Sequence, residues 1–318
     1  MTARIIRRAF LAAALALPMA GIAGLAHAAG ERFVFVSHAP DSDSWWNTIK
    51  NALKNAEHDL GVKVEYRNPS TGDIADMARI IEQAAASNPT GIITTIADYN
   101  VLEGSIKGAI AKGIPVITVN SGTAEQSKKL GALLHIGQPE YDAGKGAGER
   151  AKAAGVTKFL CVNHFITNTV SVERCRGYAD GLGVPLGDQM LDSGIDPTEV
   201  YNKVKAYLTT HADTNGILTL GPNSADPTIK LLRDTGSAGK FKSFISFDLD
   251  SDISKAIKEG TMEAAIVQQP YLQGYLPVVF LTEYARYGVI PANNVNTGPG
   301  FVSKKNIALV EKLAGEYR

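Results

Sequence analysis

The chain alternates short apolar segments with helices that are apolar along one face. The segment "FVFVS" is typical of a buried strand, and Ile49, Leu53 and Ala56 then recur at the spacing of one helix face. The same succession of strand and helix continues through the first half of the chain and resumes in the second half. Strands separated by helices pair in parallel and are covered on both faces, so the pattern predicts an α/β fold.

The two halves repeat this pattern with similar strand ends at similar intervals. "FVFVSH" resembles "KFLCVNH", "GIITT" resembles "GILTL", and "IPVITVN" parallels "FKSFISFD". The interval from His38 to Gly91 is 53 residues, and the interval from His164 to Gly216 is 52. Three pairs in the same order and at near-equal spacing predict two similar doubly wound parallel-sheet lobes.

The first 28 residues have the features of an export signal. Arg4, Arg7 and Arg8 precede an apolar run rich in Ala and Leu, which closes on an A-x-A site that ends at Ala28. We expect residues 1–28 to be a signal peptide that is cleaved after Ala28. The Arg7-Arg8 pair fits a twin-arginine signal as well as an ordinary secretory one, so both export routes stay open. The predicted location is the periplasm.

Charge and size limit the function classes. The chain carries 32 basic and 32 acidic residues, so removal of the three arginines of the signal would leave a net charge of −3. Lys and Arg form no conspicuous run, which argues against nucleic acid as a partner. A chain of this length exceeds the usual size of one hydrophobic core, in agreement with two lobes.

Cys161 and Cys175 are the only cysteines of the chain. In an exported protein an even pair is typical of a disulfide, which here would join a strand to the helix that follows it. Two buried free thiols are the alternative, because free cysteine often serves as a small core residue.

In two facing parallel sheets, the strand ends converge on one cleft. Ligands of such sheets lie beyond the carboxyl ends of the strands, where the strand order reverses. The candidate residues that follow predicted strands are His38, Asp43, Trp45, Trp46, Thr95, Asp98, Asn120, His164, Asn168, Asn223 and Asp248. This set is rich in short carboxylate and amide side chains, contains both tryptophans of the chain and contains no lysine.

That composition suits a neutral polyhydroxylated ring. Such a ring needs many donors and acceptors together with an aromatic plate for its apolar face. An amino acid would call for a cationic partner, for which Arg174 is the candidate, and a phosphate would call for a glycine-rich loop. The composition therefore favours a sugar or sugar alcohol, and it predicts no metal and no cofactor.

Several phrases resemble a known family over essentially all of the chain after residue 28. They are "FVFVSHAPDSDSWW", "GIITTIADYN", "GIPVITVNSG", "HIGQPEYDAGKGAGERA", "SVERCRGYADGL" and "FISFDLDSDISKAIKEGTMEAAIVQQPYLQGY". In order and spacing they resemble the periplasmic type I substrate-binding proteins of sugar ABC importers, in the ribose/galactose-binding group. The resemblance implies a monomer that binds one sugar or polyol and delivers it to ABC permease membrane subunits. A chemoreceptor is a further partner that the family admits.

The resemblance also implies lobe limits and a hinge. The N-terminal lobe would comprise residues 29–136 and 269–297, and the C-terminal lobe residues 137–268 and 298–318. Three strands would cross between the lobes, near 136–138, 267–269 and 296–299. Ligand binding would close this hinge.

Site residues carry over from the family position by position. The two tryptophans match aromatics that sandwich the sugar, and Arg174 matches an arginine that binds ring oxygens. Asn120 and Ser121 stand where relatives often have Asp-Arg, which leaves the identity of the sugar open. The remaining matches are Thr95 and Asp98 after the third strand, Asp248, Gln268 at a crossing, and Asn223 as a substitute for an Asn-Asp pair.

Two of these residues have structural alternatives within a helix. For Asp248 the alternative is a cap on the helix that begins near Asp252, since Asp is a favoured cap. For Arg174 the alternative is an ion pair with Glu173 or Asp180.

Three others have alternatives within a loop or the core. For His38 and His164 the alternative is a hydrogen bond to loop backbone. Trp46 is expected to belong partly to the core.

Other functions compatible with the sequence compete with sugar transport. The same fold could bind an amino acid or an autoinducer-type furanose. A periplasmic glycoside hydrolase would need paired carboxylates, for which Asp98 and Asp248 are the candidates. The chain has no G-x-S-x-G, H-E-x-x-H or Walker motif, so we expect it not to be an enzyme.

Overall fold

The computed structural model describes residues 30–314, 316 and 317. The expected signal peptide, residues 1–28, lies outside the described residues. Within them the chain forms two six-stranded sheets with helices on both faces, as the alternating pattern predicts.

The two sheets have the same strand order. The first contains β1 (Arg32–Val36), β2 (Lys63–Arg67), β3 (Gly91–Thr94), β4 (Val116–Val119), β5 (His135–Gly137) and β11 (Val295–Asn296). The second contains β6 (Phe159–Asn163), β7 (Met190–Asp192), β8 (Gly216–Thr219), β9 (Ser243–Phe247), β10 (Ala264–Val267) and β12 (Gly300–Ser303). Their orders are β2-β1-β3-β4-β5-β11 and β7-β6-β8-β9-β10-β12. The prediction of two similar doubly wound lobes is confirmed.

Ten α-helices connect the described strands. They are α1 (Trp46–Leu60), α2 (Ile74–Ala86), α3 (Tyr99–Ala111), α4 (Ala124–Leu130), α5 (Glu140–Ala153), α6 (Thr169–Leu182), α7 (Pro197–Thr210), α8 (Pro222–Asp234), α9 (Ser251–Glu259) and α10 (Pro270–Tyr287). Among the described residues, no helix is long and apolar enough to cross a membrane.

Each sheet separates two hydrophobic cores. Alternate residues of a strand point to opposite faces, so Phe33 and Phe35 of β1 enter one core while Val34 and Val36 enter the other. In the second lobe, Phe159 and Leu160 of β6 divide in the same way. Burial on both faces explains why these strands read as continuous apolar runs.

The chain crosses between the sheets at three places. These are the connections from β5 to α5, from β10 to α10 and from β11 to β12. Helix α10 follows the second crossing and returns to the first lobe, where Gly274 lies against the backbone of Ile49 in α1. The lobe limits given above stay a prediction.

Helices α5 and α6 pack unusually closely. Gly144 and Gly148 of α5 face the backbone of α6, and Gly177 and Gly181 of α6 face the backbone of α5. A side chain at any of these positions would meet a carbonyl group of the opposite helix. The close packing brings the start of α5 beside the middle of α6, which carries Arg174.

The predicted disulfide is present in the structure. Cys161 of β6 and Cys175 of α6 are bonded and fully buried. The bond ties α6 to β6, which lies between β7 and β8 in its sheet.

Candidate functional site

A cavity lies between the lobes at the carboxyl ends of the strands. Residues of both lobes line it. The lining residues that the sequence predicted are His38, Asp43, Trp45, Trp46, Asn120, His164, Asn168, Arg174, Asn223, Asp248 and Gln268. Thr95 and Asp98, which were also predicted, are not among the described residues that line it.

Trp45 and Trp46 have different surroundings. Trp46 is 3% exposed and packs edge-on against Phe35 of the core, with ring centroids 6.4 Å apart, although it also reaches the cavity. Trp45 is only half-buried, and its indole N–H lies near the Asp248 carboxylate of the opposite lobe, where it opposes the rise in the pKa of that acid. Trp46 therefore belongs to both core and cavity, as predicted, while Trp45 is the more accessible plate.

Asp43 fixes the loop before α1. Its Oδ1 accepts a hydrogen bond from the Trp45 backbone N–H at 3.1 Å, and its Oδ2 accepts one from Asn223 Nδ2 at 3.3 Å. Burial raises the pKa of Asp43, and these two hydrogen bonds oppose that effect. The bond to Asn223 joins the two lobes at the edge of the cavity.

His38 and His164 are buried and uncharged. His38 Nδ1 hydrogen-bonds Thr95 Oγ1 at 3.0 Å, and its ring stacks on Phe165 of the other lobe at 5.5 Å. Burial, reinforced by His164, lowers the pKa of His38 to about 3; burial, reinforced by Arg174, lowers the pKa of His164 to about 4. Thr95 thus lies behind His38 and orients its ring.

His164 Nδ1 has no hydrogen-bond partner among the described residues, although the atom is buried. A buried polar atom without a partner is costly, and this side chain lines the cavity. The alternative in which His164 binds loop backbone through Nδ1 is therefore not seen.

Asp98 serves the helix that follows it. Its carboxylate accepts hydrogen bonds from the backbone N–H groups of Asn100 and Val101 and caps α3. The sequence could not separate this role from a ligand contact, because both need a short acid at the end of a strand.

Arg174 is held by a partner that the sequence analysis missed. Its Nε and Nη2 donate to the two carboxylate oxygens of Glu140 at 2.7 and 2.8 Å, and its Nη1 donates to the Leu220 carbonyl at 2.9 Å. The guanidinium also lies 4.3 Å from the centre of the Phe247 ring. Pairing with Glu173 or Asp180 was the wrong alternative. Two guanidinium N–H groups remain for the cavity.

Asp248 lies in the left-handed backbone region, with φ of 63°, at the carboxyl end of β9. Its Oδ1 accepts a hydrogen bond from Gln268 Nε2 at 2.8 Å. Burial raises the pKa of Asp248 to about 7, although Arg174 and Gln268 oppose the shift. The cap of α9 is Asp250, whose Oδ1 accepts from the Ile253 N–H at 2.8 Å, so the alternative of Asp248 as a cap was wrong.

Three amide side chains also line the cavity, those of Asn168, Asn120 and Gln268. Asn168 caps α6 through Oδ1 and donates from Nδ2 to Ser121 Oγ of the first lobe at 2.9 Å. Asn120 Nδ2 donates to Gln268 Oε1 at 3.1 Å. Ser121 and Phe165, which also line the cavity, directly follow Asn120 and His164 at the same strand ends.

The cavity can therefore bind a neutral polar ring. It offers amides, carboxylates, imidazoles and part of a guanidinium whose charge Glu140 balances, beside the indole of Trp45. In the described part of the chain, no cluster of His, Cys, Asp and Glu could hold a metal ion.

A family model described as periplasmic binding protein domain matches residues 33–288. The chain belongs to this family. It is 25% identical over 292 residues to the xylose/arabinose-binding protein XylF of Sulfolobus acidocaldarius, covering 87% of this chain and 72% of the relative. It is 25% identical over 265 residues to the ribose import binding protein RbsB of Haemophilus influenzae, covering 81% and 87%.

A solved structure is similar over nearly the whole chain. It is a carbohydrate transporter from Acidothermus cellulolyticus 11B in complex with myo-inositol. The TM-score is 0.83 and the sequence identity 31%, and the match covers 90% of this chain and 98% of that one. The resemblance predicted from the sequence phrases is confirmed at the level of family and fold.

Proposed function

We propose that this periplasmic binding protein is the solute-binding component of an ABC importer, and that its ligand is a neutral monosaccharide or sugar alcohol. The observation that carries the proposal is the cleft cavity, where Trp45 lies beside amide and carboxylate groups from both lobes. Relatives named for ribose, xylose and arabinose, and a similar structure in complex with myo-inositol, support this ligand class.

The site geometry weighs against the other ligands. An amino acid carboxylate needs an uncompensated cation, but the Arg174 charge is already balanced by the bidentate bond to Glu140. A glycoside hydrolase would need Asp98 and Asp248 in one site, whereas Asp98 caps α3 outside the cavity lining. We therefore propose binding without catalysis.

Binding acts by hinge closure. Groups from both lobes line one cavity, so a ligand that contacts both stabilises the closed form over the open form. The three crossings after β5, β10 and β11 supply the hinge, with lobes of residues 29–136 plus 269–297 and 137–268 plus 298–318. The closed, monomeric protein would deliver its ligand to the permease membrane subunits and could also signal to a chemoreceptor.

Export would place the protein in the periplasm. Residues 1–28 would direct it there as a cleaved signal peptide, by the general secretory or the twin-arginine route.

A thermal-shift screen of residues 29–318 tests the function. The panel contains D-ribose, D-xylose, L- and D-arabinose, galactose, glucose, myo-inositol, linear polyols, an autoinducer-type furanose and the common amino acids. A ligand that binds only the folded protein raises its melting temperature. A shift restricted to one or a few stereochemically related sugars or polyols is expected. A flat response to all of them, or a shift with an amino acid, would overturn the proposal.

A further inference from the structure

Gln273 is a fully buried amide on the second turn of α10. It does not belong to the described residues that line the cavity. A buried amide inside a helix of the first lobe must find hydrogen-bond partners, since leaving it unpaired would be costly. Those partners are side chains of the ligand cavity and of the hinge.

The Gln273 side chain joins three segments. Its Oε1 accepts a hydrogen bond from Asn120 Nδ2 at 3.0 Å, at the end of β4. Its Nε2 lies 3.1 Å from Gln268 Oε1 and 3.2 Å from the Gln268 carbonyl oxygen, at the second crossing. It also donates to Thr297 Oγ1 at 3.0 Å, at the third crossing.

These bonds fix what Asn120 can offer a ligand. Both N–H groups of its side chain are used, one toward Gln273 Oε1 and one toward Gln268 Oε1. Its Oδ1 accepts one hydrogen bond from Ser121 Oγ at 3.0 Å. Counting the described residues, the side chain keeps one acceptor position and no donor.

The same hydrogen bonds leave the Gln268 side chain with a donor, whereas they leave Asn120 with an acceptor. Its Oε1 accepts from Asn120 and faces Gln273 Nε2, whose two N–H groups are shared among this oxygen, the Gln268 carbonyl oxygen and Thr297 Oγ1. One N–H of its Nε2 donates to Asp248 Oδ1. Within the described structure, one donor and no side-chain acceptor remain.

We infer that Gln273 is a positioning residue that orients the amides of Asn120 and Gln268, so that the cavity presents an acceptor and a donor side by side to a ligand hydroxyl. A hydroxyl can donate to the one and accept from the other, whereas an ether oxygen or a hydrogen atom cannot do both. Without Gln273 only Asp248 and Ser121 set the orientation of this amide pair, so the two amides can turn over together more easily and present the opposite groups. The inference rests on the proposed function, because it concerns the same cavity.

The test measures two quantities, the affinity for a sugar or polyol and the preference for it over its deoxy analogue. The probes are the sugars and polyols of the thermal-shift panel with their monodeoxy analogues, and binding is measured by calorimetry. Gln273→Met keeps the side-chain length but removes both polar groups. We expect it to weaken binding of the best probe about tenfold or more, and to reduce its preference over the matching deoxy analogue by a similar factor.

Two further variants separate positioning from stability. Gln189→Met removes another buried amide, which binds the Phe159 N–H and the Pro185 carbonyl away from the cavity. It should lower the melting temperature but change neither the affinity nor the preference by more than about twofold. Thr297→Val removes one partner of Gln273 with little change in shape, and should shift the preference in the same direction by a smaller factor.

The outcomes are distinct. A Gln273→Met protein that loses stability but keeps the wild-type preference overturns the inference. If that variant does not fold, an unchanged preference in Thr297→Val overturns it. If the wild-type protein binds none of the probes, the proposed function itself fails, and the inference fails with it.

Discussion

The Asn168 side-chain amide donates a hydrogen bond of 2.9 Å to the Ser121 hydroxyl, and this bond runs directly from the second lobe to the first. Ser121 in turn donates to Asn120 Oδ1, so the contact continues into the hinge amides. Part of the closed state is therefore held by the protein's own groups. A ligand then shifts an existing equilibrium instead of creating the closed form.

Ser121→Ala should favour the open form. The substitution removes the bond from Asn168 but leaves Asn168 free to cap α6. We expect a larger radius of gyration without ligand, measured by small-angle scattering, and a loss of affinity of about three- to tenfold. Ser105→Ala is the matched control, because Ser105 is also buried but donates to the Leu102 carbonyl within α3. Equal radii for wild type and Ser121→Ala would contradict the prediction.

Trp45 should contribute to binding in two separable ways. Trp45→Phe keeps an aromatic face but removes the N–H that reaches Asp248, whereas Trp45→Ala removes both. Calorimetry with the sugar found in the screen should give a loss of about tenfold for Trp45→Phe and more than about a hundredfold for Trp45→Ala. Circular dichroism should show an intact fold. Wild-type affinity in both Trp45→Ala and Asp248→Ala would refute the site assignment.

The periodic pattern of the strands predicted most of the residues that line the cavity, because it locates the end of each strand in the sequence. The ends of parallel strands meet at one edge, so locating the ends of β1, β4, β6, β8 and β9 was enough to bring nine of the thirteen candidates onto one cavity. Arg174 and Gln268, which the family resemblance supplied, line it as well. The hydrogen-bond partners of these side chains could not be predicted from the strand ends. Glu140 and Arg174 are 34 positions apart, and their contact depends on the close packing of two glycine-bearing helix faces.

The other wrong predictions concern aspartates at strand ends, which can either cap the next helix or line the cavity. Asp98 and Asp248 each follow a strand and precede a helix, and either could have capped that helix. Asp98 does so, whereas Asp250 replaces Asp248 in that role. Asp248 and Asp250 differ by two positions, and a sequence pattern does not resolve which of them caps the helix and which lines the cavity.

The disulfide should stabilise the second lobe. Cys161 and Cys175 are 14 positions apart, and a closed loop of that size stabilises a fold by about 3 kcal/mol. We expect a reductant to lower the free energy of unfolding in urea by this amount and to weaken sugar binding, because α6 carries Asn168 and Arg174. A Cys161→Ala/Cys175→Ala protein should be insensitive to the reductant. An oxidised wild type that unfolds at the same urea concentration with and without reductant would contradict this.

The buried carboxyl of Asp248 should make stability depend on pH. Burial raises its pKa from the ordinary 3.8 to about 7, so between these values the folded protein holds a proton that the unfolded chain has released. The free energy of unfolding must then fall as pH rises through this window. Asp248→Asn cannot ionise, and asparagine tolerates the left-handed backbone at this position. Relative to wild type, the variant should therefore gain roughly 3 kcal/mol between pH 4 and pH 8, measured by urea unfolding. The exposed Asp142→Asn serves as the control and should show no such gain. A difference between Asp248→Asn and wild type that stays constant across this range would mean that Asp248 is already ionised at pH 4 in the folded protein.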